Sequence, residues 1–136
     1  MKSRRQKLGE WGEGEAARFL CERGYTILER NARTPYGEID LVARKDYAGC
    51  GTLQAQAPKS ECVTVFVEVK TRSSSAYGLP EDSVTPRKQA HMLAAAEAYL
   101  QDHPELEGDW RVDVIAVQCQ PPDCQPAITH FENAVH

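Results

Sequence analysis

VFVEVKTR, at residues 65–72, completes the strongest β-strand pattern in the chain. Side chains alternate between the two faces of a strand, so the four valines between positions 63 and 69 share one face. Phe66, Glu68 and Lys70 share the other face. Both faces are apolar before Glu68, which is typical of a strand buried on both sides of a sheet. The pattern therefore predicts a carboxylate and an amine side by side at the end of a buried strand.

The segment GEIDLVARK, at residues 37–45, predicts the preceding strand over residues 38–44. Alternation places Asp40 with Val42 on one face, and Ile39 with Leu41 on the other. The turn segment TPYG joins this strand to an earlier one over residues 25–33. If the register sets Asp40 against Glu68, two carboxylates and an amine meet at one end of the sheet.

The remaining patterns predict an α/β protein with a mixed sheet flanked by helices, in the order α-β-β-β-α-β-β. Apolar residues at helical spacing indicate a first helix over residues 8–23, which ends at Gly24. Thr85 and Pro86 suit the N-cap and first position of a second helix that runs to about residue 102. We expect further strands at residues 110–118 and, as a short edge strand, 128–132.

We interpret the 136 residues as a single domain, with its core at residues 8–118. Residues 45–61 are rich in Gly, Ala, Gln and Pro and predict a mobile hairpin loop. Residues 119–136 match no motif and are expected to form a C-terminal extension.

Composition limits the classes of protein that the chain can belong to. The net charge of −4 disfavours a strongly basic, non-specific coat for nucleic acid, although residues 1–45 are net basic. The apolar runs are too short for a membrane span, and no signal peptide follows the basic start. The five cysteines contain no C-x-x-C pair, which favours reduced thiols over a zinc site. We expect a cytoplasmic protein that does not enter a membrane.

The predicted carboxylates could hold a metal ion. Two close carboxylates repel each other unless one is protonated or a cation lies between them. A few hard oxygen ligands with room for water and phosphate suit Mg²⁺. Glu15 lies within the apolar stripe of the first helix, where a carboxylate requires a partner, a metal or a cleft. The alternative is an ordinary cross-strand ion pair, which is common for E-x-K on a strand.

Four segments in order resemble an uncharacterised bacterial family called YraN: LGEWGEGEAARFLCERGYTILERNAR, GEIDLVAR, VFVEVKTRSSSAYGLPEDSVTPRKQAHMLAAAEAYL and WRVDVIAV. The resemblance covers nearly all of residues 8–118. That family resembles PD-(D/E)xK nucleases, and in particular the archaeal-type Holliday-junction resolvases, which implies a restriction-endonuclease-like fold.

The resemblance also implies roles for individual residues. Asp40, Glu68 and Lys70 would be the catalytic set. The metal ligands would be Glu15, Asp40, Glu68 and the Val69 carbonyl, with Mg²⁺ or Mn²⁺ as the cofactor. Nucleic-acid phosphates would contact Asn31, Arg33, Arg72 and Lys88, although plain solvation explains Lys88 equally well.

The leading hypothesis is a metal-dependent endonuclease that hydrolyses DNA phosphodiester bonds, with branched or repair and recombination intermediates among its substrates. The alternatives are a nucleic-acid-binding module that no longer cleaves and an adaptor in a repair or recombination complex. The resemblance favours a homodimer and leaves a monomer open.

Overall fold

A computed structural model of the protein describes residues 3–46, 62–72, 85–106, 108–120 and 125–135. The elements are α1 (Arg4–Glu22), β1 (Tyr25–Thr34), β2 (Gly37–Asp46), β3 (Cys62–Arg72), α2 (Pro86–Asp102), β4 (Asp109–Gln120) and β5 (Gln125–Val135). The predicted α/β class and the order α-β-β-β-α-β-β are confirmed. Within the described ranges, neither helix is long and apolar enough to cross a membrane.

The five strands form one mixed sheet in the order β1-β2-β3-β4-β5. Neighbouring strands are antiparallel except for β3 and β4, which are parallel. Parallel strands need a crossover connection, and α2 lies in the connection between β3 and β4. This arrangement places β3 at the centre of the sheet, between β2 and β4.

A separate apolar cluster covers each face of the sheet, one beneath each helix. Ala16 and Leu20 of α1 pack with the four alternate valines of β3 and with Leu41 of β2. Phe66 packs on the opposite face with Ala95, Ala96 and other α2 residues. The predicted alternation of β3 is therefore confirmed, and its burial on both faces follows from the two helices.

The first helix begins earlier than predicted, at Arg4 rather than near residue 8. Ser3 is the N-cap, and its hydroxyl accepts a hydrogen bond from the Gln6 N–H at 3.1 Å. The Gln6 side chain accepts one from the Ser3 N–H at 2.9 Å, which completes a capping box. The S-x-x-Q spacing was the sequence signal for this start.

Tight packing against β3 fixes the position of α1 on the sheet. A Cβ atom built on Gly12 would overlap the side chain of Thr71. Gly14, on another side of the helix, has no heavy atom within 4 Å of such a Cβ. The absence of a side chain at Gly12 therefore allows the helix backbone to approach the end of β3 closely.

The last strand is longer than the predicted edge strand at residues 128–132, because β5 extends over Gln125–Val135. Residues 125–135, which lie within the predicted extension at 119–136, thus contribute an edge strand to the sheet. The predicted loop at 45–61 is wrong at its start, since Lys45 and Asp46 belong to β2. The rest of that loop, 47–61, lies outside the described residues.

A buried polar cluster ties β5 to the sheet. Asp113 is 0% exposed, and its carboxylate accepts hydrogen bonds from the Arg111 Nε, from His130 Nε2 at 2.7 Å and from the Asn133 N–H at 2.8 Å. Burial alone would raise the pKa of Asp113, but the hydrogen bonds from His130, Arg111 and Asn133 together hold it below its ordinary value. These bonds make Asp113 a structural anchor of the sheet.

Candidate metal and phosphate site at the β2–β3 fork

The strands β2 and β3 separate at the position of Asp40, and the site formed there by Asp40, Glu68, Val69, Lys70 and Lys88 is called the fork. Their paired register ends at Leu41 and Val67, one step before Asp40 would face Glu68. Beyond that point, the Val69 N–H donates to Asp40 Oδ2 at 2.8 Å. A side-chain carboxylate thus satisfies a backbone donor of β3 where the ladder has ended. The structure thereby brings Asp40 to the end of β3 that carries Glu68.

The backbone is irregular where β1 meets β2 at Asp40, so side chains there do not alternate strictly between the two faces of the sheet. Asn31, the residue opposite Asp40, has a φ of 55°. Asn31 and Asp40 are not paired with each other, although the neighbouring residues on both strands are paired. Ile39 and Val42 consequently belong to the same apolar cluster under α2. The sequence-based assignment of Ile39 to the face opposite Val42 is therefore wrong.

Glu68 is the buried carboxylate of the fork, with 9% of its surface exposed. The Lys70 Nζ lies 3.4 Å from Glu68 Oε1, and the Lys88 Nζ lies 3.3 Å from the same oxygen. Lys70 comes from β3 itself, whereas Lys88 comes from the first turn of α2. Two ammonium groups from different elements therefore converge on one carboxylate oxygen.

Burial, together with the nearby charge of Glu68, raises the pKa of the Asp40 carboxyl from 3.8 to about 7. The hydrogen bond from the Val69 N–H and the charge of Lys88 act in the opposite direction. A carboxyl with this pKa keeps its proton to a higher pH than an ordinary aspartic acid does. The fork therefore favours a proton or another cation beside Asp40.

The α1 carboxylate that acts on Asp40 is Glu13 rather than Glu15. Glu13 raises the pKa of Asp40, whereas the carboxylate of Glu15 lies 3.6 Å from Arg18 Nη2 on α1 itself. Residues two apart on a helix do not face the same way. Glu13 is therefore the α1 acid whose charge raises the pKa of Asp40. The sequence interpretation missed Glu13 because only Glu15 lies within the apolar stripe of α1.

A groove of about 550 Å³ runs between α1 and the β1–β2 hairpin, and Glu13, Asn31, Arg33 and Glu38 line it. With its amide nitrogen turned toward the acids, Asn31 donates to Glu38 Oε1 at 2.9 Å and to Glu13 Oε1 at 3.2 Å. Burial raises the pKa of Glu13 above its ordinary value, Arg30 and Asn31 oppose this, and the charge of Glu38 adds to it. Asn31 is therefore placed to orient carboxylates, whereas Arg33 is exposed at the rim.

The other predicted residues lie along the end of β3. Val69 follows Glu68 directly, and Arg72 is the half-buried last residue of the strand. Arg72 pairs in the parallel register with Gln118 of β4. By alternation Arg72 lies on the same face of β3 as Lys70, two residues earlier, and Glu68, four residues earlier. The predicted set is thus divided between the fork, the α1 groove and the end of β3.

The donors at the fork fit a magnesium ion better than a metal that needs a full protein cage. Within the described ranges, no group of three or more His, Cys, Asp or Glu side chains could hold a metal. Asp40, Glu68 and the Val69 carbonyl supply two carboxylates and one neutral oxygen. Mg²⁺ commonly binds through one or two carboxylates and keeps several waters. The negative charge of Glu68, which raises the pKa of Asp40, also favours a cation between the two carboxylates.

A cavity of about 170 Å³ adjoins the fork between α2 and the sheet. Its inner walls are apolar and include Ile39, Phe66 and Ala95, while Glu68 and Lys88 stand at its polar side. Tyr36, in the β1–β2 turn, also lines it and is 56% exposed. The aromatic residue in the TPYG turn was a signal for this surface that the sequence interpretation did not use.

Comparison with known proteins identifies the family. The model of a family described as "Uncharacterised protein family UPF0102" matches residues 12–117. The chain belongs to this family. UPF0102 is the family that the sequence resemblance indicated, and its matched range contains every predicted site residue as well as Glu13 and Tyr36.

Relatives within UPF0102 match over most of their length. A UPF0102 protein of Syntrophomonas wolfei is 41% identical over 129 residues, which cover 95% of this chain and 97% of that protein. A UPF0102 protein of Trichlorobacter lovleyi is 44% identical over 129 residues, covering 95% of this chain and 90% of that protein. The similarity to UPF0102 relatives thus extends over nearly the whole described sheet.

Proposed function

We propose that this UPF0102 protein is a metal-dependent endonuclease that hydrolyses phosphodiester bonds of DNA. The observation that carries the proposal is the convergence of Asp40, Glu68, Lys70 and Lys88 at the fork between β2 and β3. A buried carboxylate, a half-buried carboxylate and two ammonium groups are suited to bind a cation and a phosphate at adjacent positions.

Asp40, Glu68 and the Val69 carbonyl would hold the metal ion, with Mg²⁺ or Mn²⁺ as candidates. When bound, such an ion makes a water molecule more acidic and offsets negative charge on a phosphate. The Val69 N–H fixes Asp40 Oδ2, so the carboxylate is held in place before any ligand arrives. This fixed position reduces the ordering that cation binding would require.

Lys70 and Lys88 would bind the substrate phosphate and stabilise the charge that develops on it. Each ammonium carries three donors and no acceptor, so either one can contact Glu68 and a phosphate oxygen together. Lys70 is 20% exposed at its side chain and Lys88 is 43% exposed. Because Lys88 is the more accessible, we expect it to contribute mainly to binding, and Lys70 to the chemical step.

A competing function is a nucleic-acid-binding module that does not cleave. The observation that favours it is the pair of lysines, which already neutralises Glu68 without a metal. Such a module would bind DNA through Lys88 and the exposed Arg33, but would give no product. Substitutions at Asp40 would then leave binding unchanged.

The deciding experiment incubates labelled branched, single-stranded and duplex DNA with the protein and Mg²⁺ or Mn²⁺. We expect metal-dependent product from the wild type and none from Glu68→Gln or Lys70→Ala. The matched controls Glu97→Gln and Lys7→Ala alter exposed residues on α2 and α1 and should cleave normally. Bound but uncut DNA in all proteins would support the non-cleaving module and refute the nuclease.

A further inference from the structure

We infer that the cavity between α2 and the β2–β3 fork binds one unpaired pyrimidine base of the DNA strand that is cleaved. This inference rests on the proposed nuclease function and names the part of the substrate that the site recognises. It makes Tyr36 a residue that determines specificity. Nuclease activity itself would require only the fork.

The cavity is large enough to hold a single aromatic ring. An apolar protein cavity of about 150 Å³ can hold one benzene ring, and the cavity measures about 170 Å³. A pyrimidine base contains one six-membered ring, whereas a purine carries a second fused ring. The volume therefore favours pyrimidines over purines.

The lining of the cavity matches the two surfaces of a nucleobase. Ile39, Phe66 and Ala95 present apolar side chains toward the interior, which suits the faces of a ring. Glu38 and His91, which are exposed, lie at the boundary and can form hydrogen bonds with its polar edge. Ligand sites commonly combine apolar walls with a few polar groups in this way.

Tyr36 is held in place at the mouth of the cavity by its turn. The Thr34 hydroxyl donates to the Gly37 carbonyl at 2.7 Å and accepts from the Tyr36 N–H at 3.1 Å. Gly37 has a φ of 128°, which a residue with a side chain rarely adopts. An exposed aromatic ring on a fixed turn can stack on a base without a large loss of entropy.

The cavity also lies at the right place relative to the phosphate site. Glu68 and Lys88 contribute to the cavity wall and are themselves the fork residues that would meet the phosphate. The base and phosphate of one nucleotide are separated by a single sugar, so one nucleotide can reach both. A base that is paired within a duplex cannot enter without leaving its stack. The substrate would therefore be single-stranded or branched.

The test measures cleavage of a DNA strand that carries thymine, adenine or an abasic sugar at the nucleotide next to the cut. The wild type should cleave the thymine strand at least about fivefold more efficiently than the abasic strand, which follows from the usual contribution of base stacking. Adenine should give a lower kcat/KM than thymine. Equal cleavage of all three strands would overturn the inference and leave the nuclease function intact.

Variants test whether Tyr36 and the cavity cause this preference. Tyr36→Ala should cleave the thymine and abasic strands with similar kcat/KM, which is a loss of the preference, and Tyr36→Phe should retain the preference. Leu28→Ala removes the other exposed large hydrophobic residue of the described chain, outside the cavity lining, and is the matched control.

A second variant fills the cavity without touching the fork. Ala95→Leu places a larger side chain in the lining and should abolish the thymine preference, with the ratio of thymine to abasic cleavage as the readout because enlarging a residue that is 3% exposed also lowers stability. Equal loss on the thymine and abasic strands in Tyr36→Ala would show a purely structural effect and overturn the inference. No cleavage of any strand by the wild type would remove the proposed function together with this inference.

Discussion

Replacing Asp40 by Asn should stabilise the metal-free protein, and the gain should grow as the pH rises. Burial and the charge of Glu68 raise the pKa of Asp40 from 3.8 to about 7, so ionisation of this group costs free energy in the folded state. Below pH 3.8 the carboxyl is protonated in both states and no penalty exists. Above about pH 7 it is ionised in both states and the penalty is complete. Wild-type stability is therefore lost across this window, as the pH rises.

The size of the effect follows from the two pKa values. Each pKa unit corresponds to about 1.4 kcal/mol, so the full penalty is about 4 kcal/mol. This is an upper limit, because the Lys70 and Lys88 side chains can rearrange around the fork. The Asn side chain keeps an oxygen that can accept the hydrogen bond from the Val69 N–H. The substitution therefore removes the charge while it retains the contact.

The assay is urea-induced unfolding in the presence of EDTA, at several values between about pH 4.5 and pH 8. The stability difference between Asp40→Asn and the wild type should increase by about 3 kcal/mol over this range. Asp109→Asn, at an exposed position of β4, controls for the change of residue type. A difference that does not vary with pH would refute the account of a charge buried at the fork.

Two further predictions concern packing. Gly12→Ala should destabilise the protein by about 1–3 kcal/mol because its Cβ would overlap Thr71. Gly14→Ala should stabilise it by about 0.5–1 kcal/mol, because alanine favours the helix and the position is open. Similar unfolding midpoints for the two variants would contradict the close approach of α1 to β3. Asp113→Ala should lose about 3–5 kcal/mol at neutral pH because Arg111 and its neighbours lose a buried partner. The loss of stability, measured by unfolding, should shrink as the pH falls below 3.8. The lowered pKa of Asp113 means that its ionised form stabilises the folded wild type, and this stabilisation disappears once the carboxyl is protonated. A loss that stays constant as the pH falls would contradict this role.

Strand periodicity predicted the centre of the sheet well. The faces of β3 follow strict alternation because both sides of this strand are buried beneath helices, and the strand ends at Arg72, where the predicted pattern ends. The same rule failed at Ile39, where Asn31 adopts a φ of 55° on the neighbouring strand. Alternation assumes regular backbone, and the irregularity depends on how β1 and β2 meet around the fork.

Helical periodicity identified the stripe of α1 but not which of its borders faces the site. The sequence placed Glu15 within the apolar stripe, and its side chain is partly buried, yet Glu13 is the α1 acid whose charge raises the pKa of Asp40. The choice depends on the rotation and crossing angle of α1 against the sheet, which Gly12 helps to set. A local pattern of apolar residues in the sequence does not determine this crossing angle.

The network around Asp113 depends on contacts that are distant in sequence. Alternation along β4 places Asp113 on the face opposite Val112 and Val114, which belong to the cluster under α2. Its partners His130 and Asn133 come from β5, which the sequence predicted only as a short edge strand. An isolated acid in an apolar strand signals a buried partner, but its identity requires the pairing of β4 with β5.

The most direct test of the account is single-turnover cleavage of a labelled branched DNA in Mg²⁺ by the wild type, Asp40→Asn and Asp109→Asn. Binding is measured on the same samples by fluorescence anisotropy. The account predicts product from the wild type and Asp109→Asn, and none from Asp40→Asn, although all three bind. Cleavage by Asp40→Asn at the wild-type rate would contradict the claim that the carboxylates at the β2–β3 fork support phosphodiester hydrolysis.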